Sequence, residues 1–550
     1  MASARWLILF LFAYSLLAQA AAPTLDQLYP IALQRGMTNT VTAAGKFDPW
    51  PVQVWADAPG INFRAETNNG KFTVQISSDA LPGPHLVRLY NKQGVSDPRF
   101  FIVSTEANIP EQEPNDEFAK PQKLDHLPAW INGRLDKSGD VDSFSFQADA
   151  GRTLIASVRC FVLMSPVDAV LRIVDTNGVQ LAFNHDGTTL DPFLVWTPKK
   201  SGTYVIQIFG FAHPPGSDVK FTGGNACVYR LHLTCEPYLR YTLPLGAQRG
   251  TNTNLKMFGW NFGSESNRTI DFDPTKFASD LYRVTLHTPG IEGEVQLPLG
   301  DAPETTEQEP NNSPAEAHEL HPPASITGLI DQPGDVDYFK FSARKGDKFV
   351  FRVHSAAFGF PLDAILKIED TTGKVVAKND DASGPDPLLD WTAPEKGTFF
   401  ASVGNVLHRG GPEYLYHLQV LNPAPDWKAT VASGSFNIEP GKTNDIKLNL
   451  KRLYGFNSKL NVTGQDLPDG ITLQQTVAPV SKKESSAKDN PEISLKLAAA
   501  PDAKTFSGPI KFMFKEADSG ITRPVLLELA ATSVNNGVPT GFNKLLMDTT

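Results

Sequence analysis

Cysteine is nearly absent from this chain of 550 residues. The three present, Cys160, Cys227 and Cys235, fall close together in the sequence. Cys227 and Cys235 flank one strand-like run, so in an extended chain they stand too far apart to bond each other. Pairing Cys160 with either would leave a thiol over, and the spacing fits no zinc site. Positive charge is also short: 50 Lys and Arg face 60 Asp and Glu, for a net charge of −10. Without a basic face a chain cannot neutralise phosphates, which argues against a nucleic-acid partner. Stretches with helical period are missing, and apolar runs long enough to cross a membrane are not found after the N-terminal segment. Catalytic signatures are missing too. There is no Gly-x-Ser-x-Gly elbow and no His-Glu-x-x-His, and His318-Glu319-Leu320-His321 has the wrong spacing for a zinc helix.

The first residues read as an export signal. Arg5 supplies the positive start, Trp6 to Leu17 the apolar stretch and Ala18-Gln19-Ala20 the small-residue cleavage site, so residues 1–22 are assigned to a signal peptide. The remainder is too long for one core. Its 43 Pro and 42 Gly punctuate short alternating runs such as Tyr204-Val205-Ile206-Gln207-Ile208 and Phe349-Val350-Phe351-Arg352-Val353. That texture predicts an all-β chain of tandem β-sandwiches.

A long segment is written twice. Glu111-Gln112-Glu113-Pro114-Asn115-Asp116 returns as Glu307-Gln308-Glu309-Pro310-Asn311-Asn312, and Gly139-Asp140-Val141-Asp142-Ser143-Phe144 returns as Gly334-Asp335-Val336-Asp337-Tyr338-Phe339. Ahead of each copy stands a Pro followed shortly by Gln-Arg-Gly (Pro30 and Gln34-Arg35-Gly36; Pro244 and Gln248-Arg249-Gly250). A two-domain unit has therefore been duplicated. The boundaries are placed at 24–107 and 238–304 for the leading domains and 111–236 and 307–422 for the acidic ones. A fifth module follows at 428–533 and a tail at 534–550. Residues 107–110 and 301–306 read as linkers, and Ser481 to Asn490 as a polar loop.

Residues two apart on a strand share a face, so Asp140 and Asp142 point the same way as Phe144 and Phe146, and Asp335 and Asp337 the same way as Phe339 and Phe341. Two carboxylates at the rim of an apolar face are costly without a cation or hydrogen-bond donors. Oxygens from Glu111, Glu113, Asn115 and Asp116 stand close by in sequence. Carboxylate and amide oxygens without His or Cys suit a hard cation, Ca²⁺ over Mg²⁺. The alternative is that these acids cap turns and accept from backbone N–H groups. Asn312 in place of Asp116 removes one charge and predicts a weaker second site or one holding fewer ions. Asp168 and Asp363, with Asn184-His185-Asp186 and Asn379-Asp380-Asp381, recur at the same offset; they are read as shapers of hairpin turns, with a second cation site as the other reading. Trp196 and Trp391 are read as core anchors.

The Glu-x-Glu-Pro-Asn opening, the Gly-Asp-Val-Asp-x-Phe strand, the Asp-Ala-x-Leu-x-Ile-x-Asp-x-x-Gly strand and turn (Asp168 to Gly178, Asp363 to Gly373) and the closing Gly-Thr-Tyr/Phe strand (from Gly202 and Gly397) occur in order twice. This pattern resembles the bacterial pre-peptidase C-terminal domain, whose relatives include the collagen-binding domains of secreted collagenases. The resemblance implies a jelly-roll-like sandwich with Ca²⁺ between the acidic linker and the sandwich. The ligands would be Glu111, Glu113, Asn115, Asp116, Asp140 and Asp142, and likewise Glu307, Glu309, Asn311, Asn312, Asp335 and Asp337. The leading domains resemble IPT/TIG-type immunoglobulin-like folds, and the last module a bacterial immunoglobulin-like domain.

The functional expectation is an exported, non-catalytic protein, secreted, periplasmic or at the cell surface, forming a rod of sandwiches stiffened by calcium. The alternatives are a module binding an extracellular polysaccharide or fibrous protein through Phe209, Phe211, Phe358 and Phe360, and an accessory subunit of a secreted hydrolase.

Overall fold

A computed structural model of the chain describes residues 21–187, 190–212, 220–263, 268–277, 283–382, 385–431, 433–474, 477–478, 492–530 and 544–547. The export signal expected at 1–22 lies outside these residues but for its last two, and so does the polar loop from Ser481 to Asn490. Among the described residues the regular structure is strand, broken only by the single 3₁₀ turns Phe161–Leu163, Pro274–Lys276 and Ala356–Phe358. Among the described residues no helix is long and apolar enough to cross a membrane. The chain is all-β, built of tandem sandwiches, because its apolar residues recur with period two and have nowhere to go but between two sheets.

The two acidic segments fold alike. In the first, one sheet runs in the order Ile109–Pro110, Ala129–Arg134, Val228–Thr234, Leu154–Arg159, Phe193–Trp196, and faces a second sheet ordered Gln122–Lys123, Asp142–Ala148, Gly202–Ala212, Val167–Val174, Gln180–Asn184. The second repeats this strand for strand, from Glu304–Thr306 and His318–Glu319 onward. Phe144, Phe146, Leu171, Ile206 and Leu231 fill the first core; Phe339, Phe341, Leu366, Ala401 and Leu418 fill the second. Trp391 is buried in that second core and Trp196 packs against the first.

Three expectations need correction. The stretches read as linkers carry short edge strands, Ile109–Pro110 and Glu304–Thr306, each paired in parallel with the sandwich that follows. The tail contributes Lys544–Met547, which pairs antiparallel with Leu526–Ala530. And the array is not an open rod, because the last module returns to the first: Asn437 Nδ2 donates to Gln93 O at 2.8 Å. Neighbouring modules also meet directly. Asn132 Nδ2 donates to Ala32 O and Gln27 Nε2 to Leu163 O, each at 2.9 Å and buried. Asn261 Nδ2 donates to Thr153 O at 2.8 Å, and the Leu245 amide donates to Thr327 Oγ1 at 2.8 Å. The three cysteines are free and buried.

Candidate metal centre

In each acidic module the incoming chain crosses from one sheet to the other at one end of the sandwich. Residues 109–110 pair with the sheet holding Ala129–Arg134, and residues 122–123 with the sheet holding Asp142–Ala148. The hexapeptide 111–116 lies between these two anchors. The Glu111 amide donates to Asn132 O at 3.0 Å on one sheet, and the Ser143 amide donates to Asn115 O at 3.1 Å on the other. The second copy repeats both bonds, Glu307 to Thr327 O and Tyr338 to Asn311 O. The acidic segment therefore strides across the open end of the core.

This placement brings its carboxylates against those of the strand. Carboxylate oxygens of Glu111, Glu113 and Asp142 lie within 4.8 Å of one another, and so do those of Glu113, Asp116 and Asp140. Glu113 belongs to both groups. In the second copy Glu307, Glu309 and Asp337 form one such group. Asp335 stands beside it and accepts from the Asp331 amide at 3.0 Å. In the amide orientation its neighbours require, Asn312 donates to Asp335 Oδ1 at 3.0 Å and to Glu309 Oε2 at 3.2 Å. Nitrogen thus occupies the place where the first copy has a third carboxylate.

Asp140, Asp142 and Asp337 are buried, as are Asn115 and Asn311. Their environment opposes charge. Burial first, and the neighbouring Glu111 charge second, push the Asp142 carboxyl up to about 11. Burial brings Glu111 to about 7. The second copy matches, with Asp337 raised to about 10 by burial and by Glu307, and Glu307 to about 7 by burial. Asp116 moves the other way, held down by Lys137 Nζ at 2.9 Å. Donors satisfy only part of the set. Tyr229 OH donates to Asp142 Oδ2 at 2.7 Å, and Tyr416 OH donates to Asp337 Oδ2 at 2.6 Å and to Glu307 Oε2 at 3.1 Å. Glu111 Oε1, Asn115 Oδ1, Asp116 Oδ1, Asp140 Oδ1, Asp142 Oδ1 and Asp337 Oδ1 are buried with no hydrogen-bond partner.

Hydrogen-bond capping of turns accounts for one oxygen of several of these acids. Glu113 Oε2 accepts from the Asn115 amide at 3.0 Å, and Asp140 Oδ2 from the Asp136 amide. In the first copy it does not account for the second oxygens of Glu111, Asp116, Asp140 and Asp142, which converge without a hydrogen-bond donor, Asp140 Oδ1 having only Lys137 Nζ at 3.6 Å. In the second copy it leaves Asp337 Oδ1, since Glu307 accepts at both oxygens. Buried unpaired oxygens of one sign are what a hard divalent cation satisfies.

Sequence reasoning missed the two tyrosines and the glycines opposite them. A Cβ on Gly133 would lie 2.0 Å from the Tyr229 ring, and one on Gly328 2.1 Å from that of Tyr416. Only glycine lets each ring lie across the strand and deliver its hydroxyl to the aspartate. Both pairs recur between the copies, which is the one trace of them in the sequence, and nothing in a recurring tyrosine or glycine marks it as part of a site.

The other repeated acids shape turns. Asn184 Oδ1 accepts from the Phe193 amide and Asn379 Oδ1 from the Leu388 amide, while Asp175 and Asp370 close the preceding hairpins. Asp168, His185 and Asp186 come within 4.8 Å of one another, with Asp168 and His185 paired at 3.0 Å. Of the phenylalanines considered for a binding face, Phe209 and Phe360 are buried, and Phe211 and Phe358 are half-buried against other rings.

No family model matches the chain. A stretch of 100 residues, 18% of the chain, is 36% identical to a Deinococcus radiodurans protein named a probable subtilase-type serine protease, and the match covers 14% of that protein. The chain therefore spans well under two thirds of the length of this curated relative. Among solved structures, the pre-peptidase C-terminal domain of a Bacillus anthracis collagenase is similar over 20% of this chain and 99% of its own, at 17% identity and a TM-score of 0.17. A Bacteroides ovatus surface protein solved with a mixed-linkage heptasaccharide aligns with 71% of this chain and 72% of its own, at 7% identity and a TM-score of 0.13.

Proposed function

We propose that this protein is an exported, non-catalytic assembly of β-sandwiches that serves as a binding or accessory module, with two pre-peptidase C-terminal-like modules each closed by Ca²⁺. The observation that carries the calcium reading is the convergence of carboxylate oxygens in both copies, with several buried oxygens lacking a hydrogen-bond donor in the first and one, Asp337 Oδ1, in the second. Glu111, Glu113, Asn115, Asp116, Asp140 and Asp142 would hold the ion or ions in the first copy, and Glu307, Glu309, Asn311, Asp335 and Asp337 in the second. Two oxygen groups sharing Glu113 favour more than one ion in the first copy; the Asn312 amide favours a single ion in the second. Because the ligands come from the crossing segment, which is anchored by backbone bonds to both sheets, and from the strand beginning at Asp142, bound calcium would staple the sandwich end shut. The direct contacts between modules mean that the angle of the joint does not depend on the ion alone.

Limited proteolysis tests this reading. In chelator the chain is expected to be cut within 105–116 and 301–312, and millimolar Ca²⁺ is expected to protect both stretches. Identical cutting in the two conditions would reject it.

One observation favours the binding alternative at a different place from the one expected. Leu181 and Phe183, 40% and 53% exposed, alternate along the outermost strand Gln180–Asn184 of the first acidic module, and Val179, 57% exposed, stands just before it. Such an apolar row on an exposed edge suits a fibrous protein or polysaccharide. Leu181→Lys with Phe183→Lys is expected to abolish retention on such a ligand while leaving Ca²⁺ binding intact.

A further inference from the structure

The first module places apolar groups on both faces of one sheet. Along Gly83–Asn91 and Arg99–Ser104, the residues Val87, Leu89, Phe101 and Val103 point into that module's own core. Leu86, Arg88 and Phe100, with Trp55 on the neighbouring strand Gln53–Ala56, fall on the other face. That face would be wet in a sandwich standing alone. Here it is covered: Leu86 belongs to the core cluster of the fifth module, with Trp427, Val431, Leu448 and Leu527, and Trp55 and Phe100 pack against the same cluster. Arg88 is 6% exposed, and its Nε donates to Ser96 O at 2.8 Å. Gly434 of the fifth module approaches it so closely that a Cβ there would lie 3.2 Å from Arg88 Nη2. At the rim, Asn437 Nδ2 donates to Gln93 O at 2.8 Å.

An apolar centre with a buried arginine and tryptophan, rimmed by a backbone hydrogen bond, is the anatomy of a specific interface. It joins segments more than 300 residues apart, since Gln93 and Asn437 are separated by 344 positions. Between the fourth and fifth modules the chain passes through Asn422-Pro423-Ala424-Pro425, a short proline-rich tether with no strand of its own.

We propose that the outer face of the first module's sheet is a docking surface whose occupant is the fifth module of the same chain, and that this clasp closes the array across the tether at residues 422–425. The inference does not depend on calcium.

The test uses the full chain carrying Gln93→Cys and Asn437→Cys, treated with a short bismaleimide in chelator and in Ca²⁺. The three native cysteines are buried, so the parent chain is the unreactive control. The expected product is a cross-linked monomer that migrates as a more compact species, formed in both conditions. Adding Gly434→Lys, which sets a cation against Arg88 in a segment outside the strands, is expected to slow cross-linking by about tenfold as the effective concentration of the two sites falls. The radius of gyration from X-ray scattering should rise with it and the circular dichroism should not change. Leu86→Asp is the matching change on the other side of the interface. Cross-linking that Gly434→Lys and Leu86→Asp both leave at the rate of the double-cysteine chain would overturn the proposal. So would a product that is a dimer at low protein concentration, which would make a second copy the occupant.

Discussion

Asp142 is in the hardest position of any residue in the chain. It is fully buried, faces Glu111, and receives one hydrogen bond from Tyr229. Without a cation its carboxyl keeps a proton far above the ordinary 3.8, to about 11, and Glu111 keeps one to about 7 against an ordinary 4.5. A raised carboxyl pKa means the folded state binds protons that the unfolded chain releases. The stability it contributes is full below the unfolded values, near pH 4, and is lost as pH rises through the folded ones. The melting temperature of chelated protein, compared with that of an Asp142→Asn, Asp337→Asn variant, should therefore fall between pH 5 and pH 9. In Ca²⁺ the wild-type decline should vanish, because the ion replaces the protons. Calcium binding near pH 7 should accordingly release roughly one proton per site, read as a dependence of the binding heat on buffer ionisation enthalpy. The variant itself should be at least as stable as wild type in chelator at pH 8 and gain less from calcium than wild type does. The carboxylates were legible in the sequence because the duplication kept them in register. Tyr229, Tyr416, Gly133 and Gly328 were not, because their part depends on a contact between strands distant in the chain, and neither a tyrosine nor a glycine announces a ligand-side role by type.

At the scale of the element, the decisive feature is the acidic segment that crosses from sheet to sheet. The strand parity of Asp140, Asp142, Phe144 and Phe146 could be read from alternation alone, and the structure shows Asp142, Phe144 and Phe146 on the buried face. The crossing could not, since strands of two residues such as Ile109–Pro110 carry no periodicity and are defined only by their partner. The glycine opposite each tyrosine makes a sharp prediction here. Gly133→Ala should cost at least the ~1–3 kcal/mol typical of overpacking, displace the Tyr229 hydroxyl and weaken calcium binding in the first copy. Tyr229→Phe, which keeps the ring and removes only the donor, should weaken calcium binding in the first copy without the overpacking cost of Gly133→Ala. In the second copy Asn312→Asp should restore the missing charge and raise the number of ions bound, measured by metal content after gel filtration; an unchanged content would show that the amide is not what limits that site.

For the whole molecule, the tandem order was visible in the repeat and the closure was not. The run Leu86-Val87-Arg88-Leu89-Tyr90 puts large apolar groups on both faces, Val87 and Leu89 on one and Leu86 and Tyr90 flanking Arg88 on the other, which suits a strand covered on two sides. A run of this kind says that a cover exists but not which of five modules supplies it. The arrangement also assigns different work to the two kinds of joint. Buried side-chain bonds such as Asn132 to Ala32 and Leu245 to Thr327 hold neighbours together, while the carboxylate sites lie at the sandwich end where each acidic module begins. The calcium account therefore stands on the carboxylate sites alone. Its most direct test is a calorimetric Ca²⁺ titration of the full chain alongside the Asp142→Asn, Asp337→Asn variant. The account predicts more than one ion per wild-type chain, in two unequal classes, and in the variant the loss of the second copy's ion and of the ion at Glu111, Glu113 and Asp142. Absence of binding to the wild type, or binding that the variant retains unchanged, would contradict it.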